Sequence, residues 1–288
     1  MEIQVLEMEE RRARFILRNS SPAMANALRR TLLNDIPKMA IDKVEFHLGP
    51  IMDDTGEKEY ESATPLFDEI IAHRLGMVPV PTLDYFVLQD ECTCGGEGCP
   101  SCKFMYSLNK HGPVTVLSGD LMPLGDPDMR VVDENIPIVL LEDNQAVMIY
   151  ATAVMGTASK HVKWQVCSGV GYTYLATVVL SAGPEAALEY LVRDCPDKYY
   201  RLEDGRLTML DARWTRDVLA HVDHPDDDFR EEFGDDVVFS VEYDDKDFAF
   251  SFETDGSLTA QKALEKAASI LVDELQAFRT QIEALETQ

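Results

Sequence analysis

Near the start of the chain Ala13, Phe15 and Leu17 alternate with polar residues after a polar turn at Glu9 and Glu10, which predicts a β-hairpin. The period then changes. In residues 19–37, NSSPAMANALRRTLLNDIP, Met24, Leu28, Thr31 and Leu32 recur at helical spacing. Ser21 is placed to cap the first amides, Pro22 suits the first helical position, and Asn34 and Pro37 close the segment. Ala25 and Ala27 keep the helix surface low enough for a second helix to approach, with Arg29 and Arg30 flanking that face. The pattern alone also fits an ordinary core helix.

At the far end Val237, Phe239, Val241 and Tyr243 alternate, Asp244-Asp245-Lys246 reads as a turn, and Phe248, Phe250 and Phe252 alternate again, predicting a second hairpin. A helix over residues 259–286 follows, about 42 Å long at 1.5 Å per residue. Along it Leu264, Ala268, Leu271, Leu275, Phe278, Ile282 and Leu285 fall at alternating steps of four and three, a heptad seam that points to an intermolecular helix contact. Hairpins at both ends predict one discontinuous domain, residues 1–41 plus 235–288.

Residues 42–166 read as an inserted α+β domain. It contains a helix over 65–75, capped by Thr64 and stopped by Gly76, with Leu66, Ile70, Ile71 and Leu75 inward, then strands at 114–117, 136–141 and 146–154. Residues 167–234 read as a third unit. TYLATVVL is strand-like, 184–192 helical, and 199–210 a hairpin turning at Asp204-Gly205, an order that fits a small ferredoxin-like domain. An acidic loop, HPDDDFREEFGDD, returns the chain to the terminal domain. The fold class is α+β.

Composition narrows the function. Fifty-two Asp and Glu against 26 Lys and Arg give a net charge of −26, which repels a phosphate backbone and disfavours autonomous nucleic-acid binding. No run approaches the roughly 18 to 20 apolar residues of a spanning helix, so a soluble cytoplasmic protein is expected. Four of the six cysteines crowd into CTCGGEGCPSC, with Cys92, Cys94, Cys99 and Cys102 spaced C-x-C-x4-C-x2-C. Four thiolates in so short a loop can close a tetrahedral shell, with Gly95, Gly96, Gly98 and Pro100 permitting the turns; an unmetallated flexible loop is the alternative. Such a shell leaves no position for a catalytic water. Asp68, Glu69 and His73 lie on one helical turn, yet nothing else in the chain supplies a nucleophile or second ligand set, so no catalytic residue is expected.

Four stretches carry a family resemblance. NALRRTL at 26–32, DEIIAHRLGMVP at 68–79, MGTASKHVKWQV at 155–166 and FSFETDGSL at 250–258 resemble segments of the alpha-like subunits of DNA-directed RNA polymerase, most closely the archaeal members related to the eukaryotic third subunit. The resemblance implies a non-catalytic assembly platform of a DNA-dependent RNA polymerase. It would heterodimerise with the smaller alpha-like subunit through Met24, Leu28, Leu32, Leu264, Ala268, Leu271, Leu275, Phe278 and Ile282. It would dock the large catalytic subunits through Arg29, Arg30, His73, Arg74, Lys160, His161, Lys163 and Trp164. The cysteine loop is similar to the zinc loop of the eukaryotic counterpart, implying one structural zinc. Cys195-Pro196 with the following DKYYRLEDGRLTMLD resembles half of a ferredoxin motif, but ARWTRDVLAHVDHP supplies no cysteines where the second half should be, so no iron–sulfur cluster is expected. A zinc-containing DNA-binding regulator, or a ferredoxin-like electron carrier fused to a scaffold, are the alternatives; the first lacks a basic reading surface and the second its cysteines.

Overall fold

The computed structural model describes residues 1–52 and 55–286. The chain opens with β1 (Glu2–Met8), β2 (Arg12–Arg18) and α1 (Pro22–Asn34), then β3 (Lys38–Phe46), β4 (Ile51–Met52), β5 (Glu59–Tyr60) and α2 (Asp68–Gly76). Next come β6 (Lys103–His111), β7 (Val114–Leu117), β8 (Met122–Pro123), β9 (Pro137–Leu141) and β10 (Ala146–Gly156). The last third holds β11 (Cys167–Ala182), α3 (Ala186–Leu191), β12 (Tyr200–Glu203), β13 (Arg206–Met209), α4 (Ala212–Asp223), α5 (Asp227–Phe233), β14 (Val238–Thr254) and α6 (Ala260–Glu286).

Contacts divide the chain into two compact units. One comprises Met1–Leu33, Cys167–Thr254 and Thr259–Gln288, the other Asn34–Val166 and Asp255–Leu258. The first unit is thus discontinuous in sequence and takes in residues 167–234 together with both terminal segments. The reason is strand length. β11 and β14, of 16 and 17 residues, pair antiparallel along nearly their whole length and so carry the 167–234 segment and the terminal hairpin in one sheet. Its order is β1-β2-β14-β11-β13-β12. Phe15 stacks on Phe250 at 5.1 Å and Tyr172 stacks on the same ring at 5.1 Å, which supplies the centre of the apolar face.

The second predicted hairpin is corrected to a single strand. Asp244 makes the anticipated turn, its Oδ1 accepting from the amides of Lys246 at 2.8 Å and Asp247 at 3.2 Å, but the excursion is a bulge. Across it Tyr174 pairs with Phe248 and the next residue, Leu175, with Asp244, so the ladder resumes in the same direction. The Asp247 carboxylate accepts from Arg18 at 2.6 Å and from the Asn19 amide at 2.9 Å, tying the bulge to the chain that enters α1. The acidic loop is likewise corrected: residues 227–233 are helical because Asp226 caps the Phe229 amide at 2.7 Å and Asp227 and Asp228 sit where a helix N-terminus favours negative charge.

In the second unit a four-stranded sheet runs β3-β10-β6-β8, with β4-β5 and β7-β9 as separate pairs. α2 packs on β3 and β9, burying Ile71 and Leu75. It starts at Asp68 rather than 65, since Thr64 spends its hydroxyl on the Leu66 carbonyl at 2.6 Å instead of capping, and Ile70 is exposed. Lys38, buried at 4% exposure, is paired with Asp255 and also donates to the Gln165 carbonyl at 3.3 Å, a buried cation that the hydrophobic pattern did not signal.

Candidate functional site

The loop between α2 and β6 folds the four cysteines into one cage. A short helical turn at Gln89–Glu91 delivers Cys92, whose carbonyl accepts from the Gly95 amide at 3.0 Å; a second turn links the Cys102 amide to the Cys99 carbonyl at 3.0 Å. Gly95 and Gly96 have φ of +67° and +87°, a region costly for any residue with a Cβ, so these glycines make the reversal between the two turns possible. All four sulfurs lie within 4.8 Å of one another. Cys92 and Cys99 are 3.4 Å apart, Cys94 and Cys102 3.6 Å, and Cys99 and Cys102 3.9 Å. Four thiolates at about 2.3 Å from a central zinc would be about 3.8 Å apart, so the cage has the dimensions of a closed tetrahedral site.

The electrostatics point the same way. The Gly98 amide, with the Cys92 thiol and the Gly96 amide, lowers the Cys94 thiol to about 6, and the Ser101 amide lowers Cys99. Although the Cys94 amide favours its thiolate, Cys92 is pushed up to about 12 by the neighbouring thiols, and burial raises Cys102. Cys94 and Cys99 thus lose their protons more easily than an ordinary thiol, and Cys92 and Cys102 less easily. A cation is needed to bring out all four charges. Among the described residues this is the one group of three or more potential ligands close enough to hold a metal ion.

The helix face expected to receive a partner divides in two. The first turns of α6 lie on β2 and β14, burying Ala260, Ala263, Leu264 and Ala267, so Leu264, at 9% exposure, is spent on its own sheet. Leu28 and Leu32 of α1 are also buried, at 6% and 1%, which corrects their reading as open interface residues: the face that repeats at helical spacing is the one the chain's own core absorbs. Met24 stays half-buried and Ala268 exposed. Beyond them the seam opens. Leu271 is half-buried, and Leu275, Phe278, Ile282 and Leu285 are exposed at 57%, 61%, 43% and 71%, as is Val272 beside them at 50%. These side chains form one contiguous apolar stretch open to solvent, a feature that in soluble proteins commonly accompanies an interaction site.

The residues expected to dock large subunits also sort by environment. His73 on α2 and His161 and Lys163 after β10 line one depression of about 370 Å³, together with Asp42 and Glu69, so two distant motifs share a groove. Asp42 was not singled out from the sequence; its Oδ1 pairs with Lys163 Nζ at 2.5 Å. Arg74 donates to the Ile138 carbonyl at 2.6 Å and Arg29 is held by Asn26 Oδ1 at 2.9 Å, whereas Arg30 and Lys160 are exposed. Trp164 is corrected to a core residue. It packs with Ala40 and Val154, donates from Nε1 to the Val154 carbonyl at 3.1 Å, and carries Lys163 Nζ 4.4 Å above its ring. A Cβ on Gly156 would come within 2.5 Å of that indole. Gly156→Ala is thus expected to destabilise the chain by about 1–3 kcal/mol, seen as a lowered urea midpoint with unchanged slope.

With β1, β2 and β14 in one sheet, an exposed apolar helix seam and a four-thiolate cage, the chain has the form of an α+β dimerisation subunit. It belongs to the family described as the RNA polymerase Rpb3/Rpb11 dimerisation domain, whose model matches residues 14–275. It is 40% identical over 273 residues to the DNA-directed RNA polymerase subunit Rpo3 of Thermoplasma volcanium, covering 95% of this chain and 96% of that one. The Rpo3 subunit of Picrophilus torridus is 38% identical over 265 residues, covering 92% and 93%, and that of Archaeoglobus fulgidus 32% over 286 residues, covering 99% of both. No helix among the described residues is long and apolar enough to cross a membrane.

Proposed function

We propose that the chain is a non-catalytic assembly platform of a cytoplasmic, archaeal-type DNA-dependent RNA polymerase, which pairs with the smaller alpha-like subunit and presents the pair to the large catalytic subunits. The observation that carries this reading is the exposed seam from Leu275 to Leu285 in a chain of the Rpb3/Rpb11 dimerisation family. The seam, with Met24, Ala268 and Leu271, receives the partner, while Leu28, Leu32 and Leu264 are taken up by the chain's own core. His73, His161 and Lys163, with exposed Arg30 and Lys160, form the docking surface for a large subunit. Co-expression with the smaller subunit followed by sizing tests this directly. One 1:1 species is expected, and two separately eluting chains would overturn it.

Within that platform the cysteine cage holds a structural zinc, supported by its four-thiolate donor set and its dimensions. The segment from β11 onward keeps a ferredoxin-like arrangement without a cluster. Its chain order, β11-α3-β12-β13-α4-α5-β14, with α5 an addition to the βαββαβ pattern, and its sheet order, β14-β11-β13-β12, support the first half of that statement. The second half rests on Cys195. It is buried among Val178, Leu188, Val192, Tyr199, Leu207, Met209 and Val218, with Trp214 and Leu219 packed alongside, and burial pushes its thiol up to about 12. Anaerobic reconstitution with iron and sulfide is expected to leave the protein colourless; a visible absorption band that disappears in Cys195→Ser would refute this.

A further inference from the structure

The seam residues of α6 occupy heptad positions whose neighbours carry charge in a particular order. With Leu275 and Ile282 at a, and Leu271, Phe278 and Leu285 at d, Glu274 falls at g and Arg279 at e. In a parallel two-stranded coil each g residue faces the e residue five positions later on the other strand. Glu274 would therefore face Arg279 of a second copy, and by symmetry the same pair forms again. The preceding g and e positions, Ala267 and Val272, are uncharged, so no like-charge pair opposes this register. In an antiparallel pairing centred near Arg279, that arginine would face its own copy. Ile282 at a followed by Leu285 at d is also the combination that favours two parallel strands.

From these observations we propose that, before its smaller partner is bound, the chain pairs with a second copy of itself through a parallel coil of α6 over Leu271–Leu285. Every residue from Val272 to Leu285 is exposed, on all sides of the helix, so the apolar seam of this stretch faces solvent. Arg279 now bonds Glu283 on its own helix at 2.8 Å, a solvent-exposed pair of little worth that it can exchange for Glu274 of the other copy. The self-paired form covers the apolar seam that the proposed heterodimer needs, so the two associations compete and the smaller subunit must displace the second copy. The inference rests on the same surface as the assembly reading but does not depend on which subunit finally covers it.

The test is sedimentation of the full chain alone, followed by titration with the smaller alpha-like subunit. The expected mass rises from 32.3 kDa toward twice that value with concentration. Glu274→Arg places like charges opposite each other twice and should weaken self-pairing roughly tenfold, and adding Arg279→Glu should restore it to near the wild-type constant. A chain that stays monomeric at high concentration while still binding the smaller subunit overturns the self-pairing and leaves the assembly reading standing. Self-association that ignores both charge changes overturns the parallel coil. Self-pairing that follows the charges, with no binding of the smaller subunit, supports this inference and removes the other.

Discussion

Replacing Leu275 and Phe278 together by Asp is expected to abolish pairing with the smaller alpha-like subunit while leaving the chain itself folded. Both side chains are more than half exposed, so their loss removes little from the chain's own core. In a helix contact each would be buried, and burying a Leu or Phe side chain contributes about 1.5–3 kcal/mol. Losing both removes roughly 3–6 kcal/mol, a factor of about 10² to 10⁴ in affinity, before the cost of desolvating two carboxylates is added. Co-purification should fall below detection at micromolar concentration, with the far-ultraviolet spectrum and the urea midpoint of the isolated chain unchanged. The contrast is Leu264→Asp. That change places a carboxylate where α6 lies on β2 and β14, so it should unfold or destabilise the chain rather than merely unpair it. If the exposed double variant still co-purified at wild-type yield, the distal seam would not be the interface.

That contrast also shows what the sequence could and could not disclose. The seven-residue repeat in α6 is visible as spacing, because periodicity depends on the chain alone. Where the repeat passes from intramolecular to open surface depends on how far the sheet extends beneath it, which is a tertiary fact; Leu264 and Leu275 look alike in sequence and differ from 9% to 57% in exposure. The same holds for α1, where a face suited to a partner proved to be the chain's own core at Leu28 and Leu32. β14 is the converse case. Asp244 and its neighbours carry turn chemistry, but a turn and a bulge use the same Asx hydrogen bonds, and only the length of the facing strand β11 decides between them. Trp164 read as surface because it lies among Lys160, His161 and Lys163, although an aromatic ring whose N–H finds a carbonyl is readily buried. The cysteine cage was the most legible feature. Its four thiols and its turns are local in sequence, so little depends on distant packing.

For the cage the expected result is one equivalent of zinc in protein purified without chelator, and none after Cys99→Ser with Cys102→Ser. Structural zinc of this kind contributes about 10–16 kcal/mol of apparent binding free energy at pH 7, far more than one loop's packing, so losing half the ligands should empty the site. The consequence stays local. Apart from Lys103 and the chain around residue 89, the cage bonds chiefly within residues 92–102, so the variant should keep its heterodimer and show only faster amide exchange in this loop. Zinc affinity should also depend on pH in a defined direction. In the metal-free cage Cys94 is lowered to about 6 and Cys99 is lowered as well, so both lose their protons more easily than an ordinary thiol, whereas Cys92 is pushed up to about 12 and Cys102 is raised, so that a cation must displace protons to bring out all four charges. Loading near neutral pH must therefore release protons, and the apparent affinity must rise with pH and drop steeply once pH falls below about 6, where Cys94 is protonated too. Competition with a chromophoric chelator across pH 5–8 measures this slope. Affinity that is flat over that range, or wild-type protein isolated without metal, would falsify the four-thiolate assignment.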